Sequence, residues 1–465
     1  MKRAALLTVL LLAGCTNSPM PTLSKSDVPA NFAQATHANA PIWPKPDWWQ
    51  GYGDPQLTQL IAQAEANNLD LAQASARLRQ ADARVRQAHA ALLPTLNFNP
   101  NGQALFGQGD GRSVSETDWT AAFGASYELD FWGKNRDAVD AARAGRAASE
   151  ADRATVALTV TAAVADSYFQ LLSLRERIAL AEANLKTSDD ILNLVRRRVN
   201  AGYAANSDLT QERANRDAIE AALPPLQQQE LETQDALAIL LGRPPEGFVV
   251  SGANLGAIIA PEVAPGLTSE LLTRRPDIQA AEANLIAAHA NLKAARTAFL
   301  PDITLTAFAG AAYPAINGAI NQIPAVGATE GLGGSLMQII FDGGKIEGQV
   351  AEAKAREEEL LSAYRAAVIA AFSDVENALG ALSHLTAQET ALKNQVADSE
   401  KVLASARRKY LAGYADFLTV TEAEKNLNTA RDQLSDIRRA QLAASVALFK
   451  ALGGGYQSQT QLSQR

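Results

Sequence analysis

A unit of about two hundred residues occurs twice in this chain, in order and in register, and this limits the fold more than any other feature. Asp70-Leu71 through Leu92-Leu93-Pro94 aligns without a gap with Asp277-Ile278 through Phe299-Leu300-Pro301. Gly133-Lys134 matches Gly344-Lys345, Ala201-Gly202-Tyr203 matches Ala412-Gly413-Tyr414, and Leu241-Gly242 matches Leu452-Gly453. The later matches share one offset, four residues larger than the first. The 465 residues are therefore one duplicated unit. Residues 57–266 form the first repeat and 267–455 the second, with 15–56 before them and 456–465 after.

Each repeat presents the same elements. A helical pattern comes first, at about 57–93 and again at 268–299, the second opened by Arg274-Arg275-Pro276-Asp277. Proline suits a helix's first turn, and the aspartate suits its positive end. Two β segments follow, then a very long helix at about 134–200 and 345–411. Ile346, Val350, Ala353, Leu360, Tyr364, Val368, Phe372, Val375, Leu379 and Leu382 recur at threes, fours and sevens along the second copy. At 1.5 Å per residue each such helix reaches roughly 100 Å, the length of a coiled coil. A chain of shorter core helices is the competing reading. Gly202 and Gly413 mark turns into shorter antiparallel helices at about 208–241 and 416–452. About a fifth of the chain is alanine, which suits helices packed closely along their length.

The β segments alternate. Trp119, Ala121, Phe123, Ala125, Tyr127, Leu129 and Phe131 interleave with Thr120, Ala122, Gly124, Ser126, Glu128 and Asp130. Aromatic ends around an apolar row suit a lipid-facing strand with interfacial girdles. Ile303 to Ala307 begins the matching strand, and Leu336 to Phe341 ends its hairpin. Loops are expected near 106–118 and 314–330, which hold Gly, Ser and Pro. A soluble two-layer sheet shares this alternation. In a bilayer, though, each bare strand N–H or C=O costs several kcal/mol, and four strands cannot close on themselves. If these strands span, other copies of the chain must close the barrel.

The N-terminus reads as a lipoprotein signal. Lys2 and Arg3 precede an apolar run from Ala4 to Ala13, too short to span a bilayer. Leu12-Ala13-Gly14-Cys15 resembles a bacterial lipobox, which predicts removal of residues 1–14 and lipid on Cys15. A buried structural cysteine is the alternative. Thr16 follows the cysteine, where lipoproteins kept at the inner membrane often carry Asp, which implies outer-membrane sorting. Residues 16–46, rich in Pro, Asn, Thr and Ser, read as a tether.

The remaining composition excludes more than it selects. A net charge of −8 without a basic tract argues against nucleic-acid binding. A single cysteine builds neither an internal disulfide nor a zinc or iron–sulfur site. His37, His89, His289 and His384 lack ligand spacing, and no nucleophile elbow, HExxH pair or phosphate loop occurs. Phe341-Asp342-Gly343-Gly344-Lys345 reads as a strand-to-helix turn. Trp48, Trp49 and Trp132 read as packing or interface anchors. Nothing argues for an enzyme or a bound cofactor beyond the lipid on Cys15.

Three further segments carry a family resemblance. They are Trp49-Gln50-Gly51-Tyr52-Gly53-Asp54-Pro55-Gln56-Leu57, Glu270-Leu271-Leu272-Thr273-Arg274-Arg275-Pro276-Asp277-Ile278 and Leu448-Phe449-Lys450-Ala451-Leu452-Gly453-Gly454-Gly455-Tyr456. In order, inside a duplicated chain, they resemble the TolC/OprM-type outer membrane factors, in their lipoprotein (NodT-like) branch. The resemblance covers nearly the whole mature chain. It implies an α+β membrane protein and a homotrimer, whose α-helical coiled-coil barrel continues into a shared 12-stranded transmembrane β-barrel with four strands per chain. It further implies an exit duct of a tripartite efflux system in the bacterial outer membrane, conducting solutes passed on by an inner-membrane pump and a periplasmic adaptor.

By the same resemblance, Ala201, Gly202 and Ser207, with Ala412, Gly413 and Leu418, map onto the tips that meet the adaptor. Leu418, Glu422 and Lys425 fall in the segment that closes the tunnel. Leu418 and Glu422 stand at i and i+4 on one helix face, and three copies of Glu422 would make a ring that favours cations. Thr419 stands where TolC has an aspartate, a departure from a two-ring acidic gate. A solvated face, or a salt bridge to Lys425, is the plainer reading of Glu422. Two rivals remain for the whole chain. A lipidated periplasmic adaptor would show one helical hairpin between β-sandwich segments, and a structural coiled-coil lipoprotein would need no strands.

Overall fold

Lys134–Asn200 and Lys345–Leu411 are each one continuous α-helix of 67 residues, matching the expected ranges of about 134–200 and 345–411. The structure, a computed structural model, describes residues 19–21, 28–29, 32–34, 42–109, 112–252, 255–256, 258–263, 268–317 and 327–457. Residues 1–14, expected to be a signal segment, Cys15, His37 and the last eight residues lie outside them.

In chain order the elements are α1 (Pro55–Asn67), α2 (Leu69–Ala90), β1 (Thr95–Gly109), β2 (Arg112–Glu128), α3 (Lys134–Asn200), α4 (Asn206–Ala221) and α5 (Leu223–Leu240). The second repeat gives α6 (Thr268–Arg274), α7 (Pro276–Thr297), β3 (Asp302–Asn317), β4 (Gly327–Met337), α8 (Lys345–Leu411) and α9 (Phe417–Ala451). Both copies of the opening helix are broken in two, the first where the sequence suggests continuity and the second at Pro276, the first-turn proline that the sequence marks. In the first, the Asn68 side chain accepts from Leu71 N–H at 3.0 Å and donates to the Leu240 carbonyl at 2.9 Å, ending one helix and capping the next. In the second, Pro276 restarts the helix after Arg274. The closing helix of the first repeat is also broken, at Ala222 ahead of Pro224-Pro225, whereas α9 runs unbroken for 35 residues.

The chain divides into two compact units. One includes Arg77–Glu150 and Ala280–Arg365 and carries the whole sheet. Its four strands are antiparallel in the order β1-β2-β3-β4, so β1 and β4 are the edges. The strands are longer than expected: residues 106–109, 112–118, 314–317 and 327–330, read as loops from their composition, belong to them. Seventeen residues of β2 extend roughly 55 Å, well past a hydrocarbon core of about 30 Å. Cross-strand pairing carries the ladder through Pro100 and Pro314 alike, overriding local propensity. Conversely, β2 ends at Glu128 and β4 at Met337, so Phe131 and Ile339–Phe341 leave the sheet.

The register sorts the two faces. Leu96 opposes Ala125, which opposes Ala307, which opposes Leu332; Phe98 opposes Phe123, which opposes Ala309. The other face carries Asn97, Asn99, Asn101, Thr120, Gly124, Ser126, Thr304, Thr306, Gly333 and Ser335. Phe308 on the polar face and Glu330 on the apolar one are exceptions. One apolar and one polar face, both open, is the pattern of a barrel wall with lipid outside and water inside. Asp130 caps the start of α3 through the Asn135 and Arg136 amides, and Asp342 caps α8 through Gly344, Lys345 and Ile346, so the glycine–lysine motif is a strand-to-helix turn.

The other unit includes Ser24–Ala76, Ala151–Gln279 and Ala366–Arg465. Its main core joins Trp48, Tyr52, Leu57, Ile61, Val164, Phe169, Leu172, Leu237, Leu241, Val446 and Phe449. Trp48 stacks on Phe449 at 4.9 Å, and Tyr168 donates to Asp54, the N-cap of α1, at 2.9 Å. These contacts draw the opening segment, mid-α3 and the end of α9 together. Trp48 is thus a packing anchor. Trp132 is more exposed and donates to the Pro301 carbonyl at 2.8 Å.

Candidate functional site

Apart from Cys15, outside the described residues, the residues singled out from the sequence lie at two helical turns of the second unit and on the helix α9 that follows one of them. Helix α3 ends through Tyr203 N–H donating to the Arg198 carbonyl at 2.8 Å, with Gly202 at φ +77°. Helix α8 ends identically, through Tyr414 N–H to the Lys409 carbonyl at 2.9 Å and Gly413 at φ +79°. This is a Schellman closure, which needs the left-handed conformation that glycine adopts freely. Ala201, Gly202, Ser207, Ala412 and Gly413 are all exposed on these turns.

The two turns lead into helices that begin differently. Asp416 caps α9, accepting from Thr419 N–H at 3.0 Å and from its hydroxyl at 2.6 Å. Those bonds hold the Asp416 carboxyl below its ordinary value. At the matching position α4 has Ala205, which offers no side-chain cap. Leu418, Thr419, Glu422 and Lys425 line an exposed strip of α9. Leu418 and Glu422 share a face as their spacing predicts, and no ion pair joins Glu422 to Lys425 among the described residues.

Behind that strip the four helices are knitted by Ile191, Val195 and Val199 of α3, Leu209 of α4, Leu403, Ala406 and Tyr410 of α8, and Phe417, Val420, Ala423 and Leu427 of α9. Charged residues that sequence reasoning passed over are buried within this cluster. Glu212 of α4 is fully buried and accepts from the Ser188 hydroxyl of α3 at 2.6 Å. Glu424 of α9 is 3% exposed, and its carboxylate lies 3.4 Å from the Arg407 guanidinium of α8. Burial pushes the Glu424 carboxyl up to about 7, against the pull of Arg407 and with the push of Glu212. Burial also raises Glu212, opposed by Ser188, Asn215 and Arg407. Glu424 lies in helical phase with Phe417, Val420 and Leu427, a signal that could have placed it inside. Arg198 covers the ring of Tyr410 at 4.6 Å.

The histidines separate as packing and surface residues. His289 meets Glu357 at 2.6 Å, while His89 and His384 are exposed. Among the described residues no group of three or more metal-ligating side chains occurs.

The family model described as outer membrane efflux protein matches residues 60–243 and 267–454, one match per repeat. A relative from Pseudomonas putida, the pyoverdine export outer membrane protein OpmQ, is 40% identical over 458 residues, covering 97% of this chain and 96% of that protein. The outer-membrane channel OprN superposes with a TM-score of 0.87 at 28% identity, over 96% of this chain and 100% of that one. The open state of the Neisseria gonorrhoeae MtrE outer membrane channel gives 0.84 at 31% identity, over 95% and 99%.

Proposed function

This chain belongs to the outer membrane efflux protein family, and from that premise we propose how it works: three copies form the exit duct of a tripartite efflux assembly, fed by an inner-membrane pump through a periplasmic adaptor. The family consists of outer-membrane efflux channels, and this chain is such a channel of the bacterial outer membrane, with their fold of a trimeric helical barrel and a β-barrel built from four antiparallel strands per chain. The observation that carries the duct reading is the sheet, with one apolar face, one polar face and two edges left for other copies. Closing those edges satisfies every backbone group in lipid and leaves a water-filled lumen.

In this reading Cys15 carries the lipid anchor. Ala201, Gly202 and Ser207 with Ala412 and Gly413 meet the adaptor, because both turns are exposed and end rigid helices. Leu418, Glu422 and Lys425 line the constriction, supported by their exposure on one strip of α9. Movement through the duct is passive, and selectivity belongs mainly to the pump. Identity to a protein named for pyoverdine export makes pyoverdine the first cargo to measure. Planar-bilayer recording of the purified native assembly tests the duct. Discrete conductances are expected, and a correctly folded trimer that gives none would sink the reading. Mass spectrometry of the mature N-terminus tests the diacylglyceryl group on Cys15.

A further inference from the structure

Four of the seven buried side-chain polar atoms that lack a hydrogen-bond partner among the described residues belong to one neighbourhood: Arg198 Nε, Arg407 Nε, Tyr410 Oη and Glu424 Oε2. Buried polar groups are nearly always satisfied, so such a concentration needs an explanation. A permanent structural bridge between Arg and Glu is commonly bidentate, with its spare atoms bonded. Here Arg407 reaches one oxygen of Glu424 at 3.4 Å, and the other oxygen and Nε have no partner.

The charges also fail to balance. Glu424 meets Arg407 of α8, and Glu212 of α4 adds a second carboxylate whose charge both residues feel. From α3 the partner is the uncharged Ser188, with Asn215 the other hydrogen-bond donor to Glu212. Nearer the tips, Arg198 and Asp208 face Tyr410. Two carboxylates therefore share one guanidinium, and the site is neutral only when one of them keeps a proton.

We propose that Glu212, Arg407 and Glu424 form a proton-dependent latch between the α3–α4 and α8–α9 hairpins, closed while one carboxylate holds a proton and loosened when that proton leaves. Losing it strands a negative charge in the interior, and separation of the hairpins lets water solvate that charge. The direction follows from linkage. Glu424 titrates near 7 when packed and at its ordinary 4.5 when hydrated, so the packed form holds more protons and is favoured at low pH. The ratio of separated to packed hairpins then rises about tenfold between pH 6 and pH 8.5. The separation of the hairpins does not rest on the duct reading.

The test uses the full-length assembly in lipid vesicles and a thiol reagent. Ala423→Cys reports the buried seam, and Asn426→Cys, three residues on at an exposed position, supplies the reference rate that removes the reagent's own pH dependence. The ratio of the two rates is expected to rise about tenfold from pH 6 to pH 8.5, and to stay flat when Glu424→Gln is added. An unchanged ratio in the native background, or the same rise with Glu424→Gln, overturns the latch. Should Glu424→Gln fail to assemble, Glu212→Gln serves: it removes the like charge facing Glu424 and must move the midpoint to lower pH, and an unmoved midpoint overturns the proposal. Parallel current recordings separate the two ideas. Seam exposure that tracks pH without pores at any pH leaves the latch standing and removes the duct.

Discussion

Gly453 lies against the carbonyl of Arg274, so close that a β-carbon on Gly453 would sit 2.1 Å from that oxygen. The first repeat contains the same contact, with Gly242 against the carbonyl of Asn67 and a β-carbon at 2.3 Å. Both glycines have positive φ, +86° and +67°. In each repeat the end of the closing helix thus touches the break in the opening helix.

Gly453→Ala and Gly242→Ala should each destabilise the fold by at least about 2 kcal/mol, from the left-handed backbone plus the clash. Gly343→Ala, at φ +71° with open space around it, should cost only about 1 kcal/mol. Thermal unfolding of the three variants in one detergent checks the order.

Arg275 links the break in the second opening helix to two other elements. It pairs with Asp277 at 2.6 Å and with Asp374 of α8 at 3.0 Å, and donates to the Ala451 carbonyl at 3.2 Å. The carboxylates are partly solvated, so Arg275→Met should cost about 2–3 kcal/mol, short of a fully buried pair. Arg275→Lys keeps the charge without the planar fork and should recover less than half of that. Denaturant midpoints of the assembled protein measure both.

The unequal tips give a pH prediction. Asp416 is held below its ordinary value by Thr419, so its contribution to the start of α9 is present above the ordinary aspartate range and lost as pH falls through the lowered value. Asp416→Ala should speed hydrogen exchange at the Thr419 amide several-fold near pH 7. Ala205→Asp should slow exchange in the first turn of α4 by a similar factor. Exchange measured by mass spectrometry, corrected for intrinsic rates, decides it.

Glu422 has no ion-pair partner on its own chain among the described residues, which fits a role toward the axis. Glu422→Ala should raise resting conductance and weaken cation preference. Unchanged current and selectivity in planar bilayers would count against the ring. Lys425→Ala, which removes the neighbouring positive charge, should strengthen cation preference.

The long helices are legible because apolar spacing near 3.6 runs along them without an interior proline. The break at Asn68 is not, because a side chain that caps by bonding Leu71 and Leu240 leaves no trace in hydrophobic period. The break after Ala222 stands beside Pro224-Pro225 and could have been read. Strand ends depart from the local sequence pattern in both directions. Glycine, serine and proline at 106–118 and 314–330 suggest loops locally, yet the neighbouring strand supplies the hydrogen bonds that hold them extended. At the tips, the sequence marked the exposed face of α9 and missed the buried one. Glutamate and arginine read as solvated unless their phase with Phe417, Val420 and Leu427 is followed.

The unpaired edges of β1 and β4 have a genetic consequence. A chain whose edge is damaged while its helices remain intact can still enter a ring and leave that ring open in lipid. In a cell making damaged and intact chains in equal amounts, only about one ring in eight would contain three sound copies. Edge mutations should therefore be dominant, whereas mutations that prevent the chain from folding at all should be recessive.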